Sequence, residues 1–249
     1  MSGHSKWANI KHRKALQDAK KSKIFTRIIK EVQIAVKEGG PDPESNPGLR
    51  LAIQNAKGVN LPKDNLEKAI SKASSEGENL QEISFEGYGP NGIAIFIESL
   101  TDNHQRTLST IRSIFNKNGG TLGTNGSLNF LFDRKGVFIV PKKDINEEEF
   151  ELEIIDAGVE DIDSADEDFI LYCPMEDFGA VQKKLDALNI EAKNAELQRI
   201  PKHTTILQTA EAIKVYRMIE DFEEIDDVQN IYYNLEMTDE LAEALEDEG

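Results

Sequence analysis

Residues 83–100 read ISFEGYGPNGIAIFIESL, and their pattern differs from that of the residues before them. Two runs rich in β-branched and aromatic residues, 83–86 and 92–100, flank a segment of glycine and proline at 87–92. This arrangement is typical of two strands joined by a tight turn. The apolar residues upstream recur at the helical period instead. The chain is therefore predicted to change from helices to mixed helices and strands near residue 80.

Upstream of this point the sequence predicts a small helical bundle. A first helix over 19–38 is indicated by one stripe of apolar residues at the 3.6-residue period, namely Phe25, Ile28, Ile29, Val32 and Val36. Glycine and proline at 39–43 end it, and Asn46-Pro47 reads as a cap and first turn of a second helix. Pro62 opens a third helix, which is followed by a polar linker at 74–79. Residues 1–20 are polar and basic, and we expect a mobile or weakly docked segment.

Downstream the pattern alternates between the two periods. Helices are expected over 103–118, 147–157, 175–188 and 209–222, and further strands over 127–132, 136–140, 169–173, 192–199 and 228–233, before an acidic tail. The predicted class is α+β: a helical bundle over 1–78, followed by two small α+β domains of ferredoxin-like character. One of these, residues 134–203, is predicted to be inserted in the other, formed by 79–133 plus 204–249.

Charge is segregated along the chain. The whole sequence has a net charge of −17, yet its first thirty residues contain nine Lys or Arg and one acid, Asp18. Residues 1–72 have 15 basic and 7 acidic side chains, a net charge of +8, and the remainder has a net charge of −25. A basic segment on an acidic body is suited to polyanions at one place only.

The candidate binding residues lie in this basic segment and the first helix. Trp7 lies among the cations, where an exposed aromatic ring can stack on a base or sugar. Such contacts go mainly to phosphates, and they give affinity with little sequence choice. The alternative is a solvated basic helix with Trp7 as a core anchor. The predicted nucleic-acid-binding residues are Lys6, Trp7, Lys11, His12, Arg13, Lys14, Lys20, Lys21, Lys23, Arg27 and Lys30.

Motifs for other chemistry do not fit their usual contexts. The G-x-G-x-x-G string at 87–92 leads into a strand rather than a helix, so a β-turn explains it better than a dinucleotide site. The glycine-rich run 119–127 lacks the lysine of a P-loop, and the acids at 161–168 lack the glycine and glutamate of an EF-hand, which favours a solvated acidic loop. Cys173 reads as a buried thiol at a strand end. We therefore predict no catalytic residues, no metal and no cofactor.

The same residues resemble a known family. The opening GHSKWANIKHRK (3–14) is similar to the signature of the YebC/PmpR family. So are AVKEGG (35–40), NP (46–47), LPKDN (61–65), EGYGP (86–90) and DRKGV (133–137). This resemblance implies a three-domain bacterial protein, a probable transcriptional regulator that binds DNA. It also implies an alternative, because relatives that include a mitochondrial translational activator act in translation and relieve stalled ribosomes.

The sequence therefore predicts a non-enzymatic, cytoplasmic DNA-binding regulator that holds phosphates through its basic segment and first helix. The alternative is a ribosome-associated translation factor that binds RNA. Another hypothesis is a protein-interaction module whose basic helix docks on an acidic partner. A small-molecule enzyme that uses the glycine-rich loops is a further hypothesis, which the motifs above do not favour. Beside nucleic acid, the predicted partners are the ribosome or another protein, contacted through the acidic domains. No stretch is apolar for long enough to span a membrane.

Overall fold

The computed structural model describes residues 21–75, 79–143, 145–165 and 167–247, and it confirms the predicted α+β class. The chain begins with three helices, α1 (Lys21–Gly39), α2 (Pro47–Gly58) and α3 (Lys63–Ser75). Their shared core contains Ile28, Val32 and Val36 of α1. The predicted cap is confirmed, because the Asn46 side chain accepts a hydrogen bond from the backbone N–H of Leu49 at 3.0 Å.

In the described part of the chain, two sheets and five α-helices follow the bundle. In chain order the elements are β1 (Gln81–Tyr88), β2 (Ala94–Thr101), α4 (His104–Lys117), β3 (Thr121–Leu122), β4 (Phe132–Pro141), α5 (Glu147–Ile155), β5 (Asp161–Ser164), β6 (Asp168–Pro174), α6 (Phe178–Ala187), β7 (Asn194–Pro201), α7 (Thr209–Glu223), β8 (Val228–Tyr233) and α8 (Asp239–Asp247).

Each sheet has four antiparallel strands. The first sheet has the order β3-β1-β2-β8, and the second has the order β5-β6-β4-β7. The second sheet is built from the elements β4-α5-β5-β6-α6-β7. The first and third of its strands along the chain, β4 and β6, lie in the centre of the sheet, and β5 and β7 lie at its edges, which is the ferredoxin-like arrangement. Strand β8 pairs with β2 although the whole second sheet lies between them in sequence. The exact division into domains stays a prediction.

Each sheet packs its helices on one face. Phe85, Ile95 and Ile97 of the first sheet pack against Phe115 of α4 and Phe222 of α7. In the second sheet, the inward residues of β4 and β6 pack in the same way against α5 and α6. The opposite faces of the two sheets carry two separate apolar clusters.

The predicted strand over 127–132 is wrong. Residues 123–131 form a loop of turns, and the strand begins only at Phe132. The buried carboxylate of Glu86 holds this loop, because it accepts hydrogen bonds from the backbone N–H groups of Gly126 at 2.7 Å and Leu128 at 2.6 Å. Loop amides bound to a carboxylate are not available for a strand ladder.

The predicted acidic loop at 161–168 and the acidic tail are also corrected. Residues 161–164 form the edge strand β5, whose Ile162 packs against the core while Asp163 accepts a hydrogen bond from the Tyr172 hydroxyl at 3.2 Å. Asp166 lies outside the described residues. The tail forms α8, because Leu241 and Leu245 pack on the core of the first sheet.

Candidate nucleic-acid interface

Most of the predicted binding residues lie outside the described part of the chain. These are Lys6, Trp7, Lys11, His12, Arg13, Lys14 and Lys20, and the side chain of Lys21 is likewise not described. Their contact with nucleic acid stays a prediction. The structure places the other three, Lys23, Arg27 and Lys30, on α1 at spacings of four and three residues, so they share one face of the helix.

Lys23 joins α1 to the end of α7. Its ammonium group lies 2.7 Å from the Glu224 carboxylate and donates a hydrogen bond to the backbone carbonyl of Glu223 at 3.0 Å. Both partners belong to the domain of the first sheet. The pair is partly exposed, so its contribution to stability is small.

Arg27 joins α1 to the second sheet. Its guanidinium group pairs with Glu31 at 3.0 Å and with Glu196 of β7, and its side chain is only 16% exposed. Burial by itself lowers the pKa of Arg27, but the charges of Glu196 and Glu31 outweigh this effect and hold the pKa above its usual value. Burial raises the pKa of Glu31, and Arg27 opposes that increase. Arg27 therefore forms an ion pair between the helical bundle and the second sheet.

Lys30 joins α1 to the turn before β8. Its ammonium group donates to the backbone carbonyls of Asp226 at 2.7 Å and Leu100 at 3.3 Å, and it lies 3.6 Å from the Asp227 carboxylate. Burial acts to raise the pKa of Asp227, but hydrogen bonds from Arg106 at 2.9 Å and Thr107 at 2.8 Å lower it overall. The Asp227 carboxylate is thus ionised, and it connects the turn before β8 to α1 and α4.

These contacts give the cationic face of α1 an internal role. Lys23, Arg27 and Lys30 bind carboxylates and carbonyls of both α+β domains, so the groups that the sequence offers to phosphates are used within the molecule. Contact between this face and nucleic acid requires release of these pairs. The sequence could not reveal this, since Arg27 and Glu196 are 169 residues apart.

Helix α2 fixes the bundle at a second place that sequence reasoning missed. The Asn55 side chain donates to the Ala195 carbonyl and accepts from the Ala195 N–H, both at 3.0 Å, and so continues the ladder beyond edge strand β7. At Gly58 an added Cβ would lie 1.7 Å from the carbonyl oxygen of Lys193. The only signal in the sequence was an asparagine among the apolar positions of α2. Release of α1 alone would therefore leave the bundle attached.

The glycine-rich segment at 87–92 and Cys173 both have structural roles. Residues 89–93 form the turn between β1 and β2, with Asn91 and Gly92 at positive φ, and Gly87 and Tyr88 still pair with β2 as the last residues of β1. The segment joins two strands, which confirms the predicted turn. Cys173 is buried in β6, and burial is the main cause that raises its pKa to about 11, so it is not poised as a nucleophile.

The described residues contain neither a group of His, Cys, Asp and Glu that could hold a metal ion nor a helix suited to spanning a membrane. The acidic range 167–247 supplies three carboxylates that pair with α1, those of Glu196, Glu224 and Asp227.

Comparison with known proteins finds domains of one family over almost the whole chain. Residues 5–76 match the model of the TACO1/YebC N-terminal domain, and residues 80–235 match the model of the TACO1/YebC second and third domain. A probable transcriptional regulatory protein of Idiomarina loihiensis is 45% identical over 250 residues, which cover 99% of this chain and 100% of that protein. Its counterpart in Bacillus licheniformis is 46% identical over 239 residues, 94% of this chain and 100% of the relative.

A solved structure has the same architecture. The crystal structure of a conserved hypothetical protein from Aquifex aeolicus superposes with a TM-score of 0.79 at 39% identity, covering 89% of this chain and 93% of the other. The resemblance that the opening motif indicated is thus confirmed by sequence and by fold. This protein belongs to the TACO1/YebC family.

Proposed function

We propose that this protein is a cytoplasmic, non-enzymatic regulator that binds nucleic acid through its basic N-terminal segment, residues 1–20. The observation that carries the proposal is the segregation of charge: residues 1–20 contain five Lys or Arg and one acid, a net charge of +4, within a chain of −17. An acidic body repels a polyanion except where the basic segment lies. The names of its relatives, probable transcriptional regulatory proteins, support a role in transcription.

The internal ion pairs of α1 sharpen this proposal. Carboxylates of the α+β domains already bind Lys23, Arg27 and Lys30, so we assign the first contact with phosphates to the cations that precede α1. Lys11, Arg13 and Lys14 are the densest group among these. The acidic domains then orient the bound polyanion away from the body of the protein and leave a surface for a protein partner.

RNA is the second candidate ligand, and one observation favours it. A helix that enters the major groove needs an exposed face of base-reading and phosphate-binding side chains. The cationic face of α1 is engaged within the molecule instead. Recognition through stacking and backbone contacts, as in single-stranded RNA, does not need such a helix. This observation supports the second hypothesis made from the sequence, a translation factor that binds RNA.

The test is crosslinking in cells followed by sequencing of both bound DNA and bound RNA, with wild type and the Lys11→Glu/Arg13→Glu/Lys14→Glu variant compared at equal abundance. We expect the variant to lose the crosslinks. Enrichment of promoter DNA supports the transcriptional role, and enrichment of ribosomal RNA with co-sedimentation on ribosomes supports the translational one. Equal crosslinking of variant and wild type contradicts binding through the basic segment.

A further inference from the structure

A polar cleft lies where the bundle and the two sheets meet. It opens to solvent, has a volume of about 340 Å³, and its wall includes Glu31, Glu98, Arg134, Arg199, Gln229 and Asn230. Pockets that bind small molecules have volumes of about 300–1,000 Å³. The cleft therefore has room for one small polar group, and every domain of the protein contributes to its wall.

A β-bulge places one residue of this wall. In the pairing of β2 with β8, Glu98 is opposite Asn230 and Ser99 is opposite Val228, so Gln229 is the extra residue of β8. Bulges bend a strand and redirect a side chain, and they are enriched beside functional sites. Gln229 thus leaves the regular ladder at the point where its strand borders the cleft.

The polar groups at the bulge lack partners. Neither the amide nitrogen nor the amide oxygen of Gln229 has a hydrogen-bond partner among the described residues, although both atoms are buried. The hydroxyl of Ser99, a residue only 2% exposed, lacks a partner in the same way. Buried polar groups are normally satisfied, and an amide with both ends unsatisfied is suited to a ligand that offers a donor and an acceptor side by side.

The charges of the cleft favour a neutral ligand. Its wall holds three carboxylates, of Glu31, Glu82 and Glu98, and two guanidinium groups, of Arg134 and Arg199. Glu98 and Arg199 already pair at 3.1 Å, and Asn230 donates to Glu98 at 3.3 Å. A phosphate would meet excess negative charge here, whereas an uncharged base would not.

The cleft is close to the C-terminal end of the basic segment. Glu31, one of its lining residues, is ten residues from the beginning of α1 at Lys21. At a rise of 1.5 Å per residue this is about 15 Å along the helix axis, or about four nucleotide steps of a stacked strand. A strand held by the basic segment can therefore extend to the cleft.

We propose that this cleft receives one unpaired nucleobase of a bound strand, and that the Gln229 side chain rotates out of its buried position so that its amide pairs with the base edge. The proposal rests on the proposed function and adds to it a means of base selection. A glutamine amide pairs in this bidentate way with the N6 and N7 groups of adenine. The protein then prefers unpaired strands to duplexes, and it prefers some bases to others.

The direct test is a titration of the full-length protein with AMP, GMP, CMP and UMP, followed through the side-chain amide signal of Gln229 in ¹H–¹⁵N spectra. That signal is assigned by its loss in Gln229→Leu. We expect at least one mononucleotide to shift it, with the largest shift for a purine. Absence of any shift at millimolar concentration overturns the proposal. A shift produced only by an uncharged peptide amide, used as a second probe, overturns it too and indicates a protein partner.

The second test compares affinities for single-stranded homopolymers and a duplex of equal length. Wild type is expected to discriminate among them by about tenfold, the size of one bidentate base contact, and Gln229→Leu is expected to remove that preference. Gln182→Leu is the matched control, since its side chain also has a buried oxygen without a partner but does not line the cleft. Gln229→Glu repeats the test with the shape conserved. Unchanged preference in both Gln229 variants refutes the proposal.

The two proposals fail in different ways. If the basic segment does not bind nucleic acid, wild type and its charge-reversed variant bind homopolymers equally weakly, while the mononucleotide titration still reports on the cleft. If the cleft does not receive a base, polymers bind through the basic segment without base preference and mononucleotides leave the Gln229 signal unchanged.

Discussion

Substitution of Arg27 by Met removes the charge that joins α1 to β7 and keeps most of the side-chain volume. It leaves the carboxylates of Glu31 and Glu196 facing each other, with Arg27 16% exposed and Glu196 14% exposed in the native protein. Loss of one partner of a buried ion pair costs about 3–5 kcal/mol, and partial exposure reduces this to about 2–3 kcal/mol at pH 7. For a chain of this size we expect the unfolding midpoint to fall by about 4–12 °C.

The pH dependence identifies the cause. Burial already raises the pKa of Glu31, and in Arg27→Met the opposing charge of Arg27 is gone. A carboxyl group whose folded pKa lies above its unfolded value favours folding at low pH and loses that contribution as the pH rises through the folded pKa. The stability deficit of the variant is therefore expected to be largest at pH 7 and to shrink toward pH 5.

The assay is thermal and urea unfolding of wild type, Arg27→Met, Glu196→Gln and the double variant at both pH values. The double-mutant cycle should give a coupling free energy of about 1–2 kcal/mol. The control is Lys63→Met, because the pair of Lys63 with Glu67 at 3.5 Å is exposed and should contribute less than about 0.5 kcal/mol. Additive effects of the two substitutions, or a deficit that does not change with pH, would refute this account of the α1 contact.

Three further predictions concern single side chains. Gly58→Ala forces the Cβ against the carbonyl of Lys193 and should weaken docking of the bundle, measured as faster amide exchange in α2, whereas Gly179→Ala has open space around it and should not. Asp227→Asn removes a carboxylate whose pKa is lowered, so the free energy of unfolding at neutral pH should fall by about 1–3 kcal/mol. This difference should narrow as the pH falls below about 4. A difference that stays constant in acid unfolding would argue against this role of the carboxylate. Glu86→Ala should cost about 2–3 kcal/mol and remove the exchange protection of the loop amides it binds, and retained protection would exclude this role.

Local patterns predicted much of the fold because they reflect one element at a time. The apolar stripe of α1 and the cap at Asn46 were readable, since burial and capping act within a few residues. The strand predicted over 127–132 failed because the Glu86 carboxylate, some 40 residues earlier, binds that segment instead. The edge strand at 161–164 was missed because its single inward residue, Ile162, gives almost no alternating signal.

The candidate site was predictable only in its charge. The sequence showed that α1 has a cationic face, but charge alone does not distinguish a phosphate partner from a carboxylate partner elsewhere in the chain. Lys30 and its ion-pair partner Asp227 are almost 200 residues apart, and such pairings arise only from the tertiary fold. The bulge at Gln229 was equally invisible, because it depends on the register between β2 and β8.

The cations of the basic segment are proposed to bind phosphates, and the salt dependence of affinity reports this contact directly. It is measured for a labelled duplex with wild type and with Lys11→Glu/Arg13→Glu/Lys14→Glu. If each of the three cations neutralises one phosphate, the slope of log K against log salt concentration should become shallower by about 2.7 in the variant. The control reverses the exposed lysines 143, 183 and 214 and should leave the slope unchanged. Equal slopes for wild type and the variant of the basic segment would contradict the account.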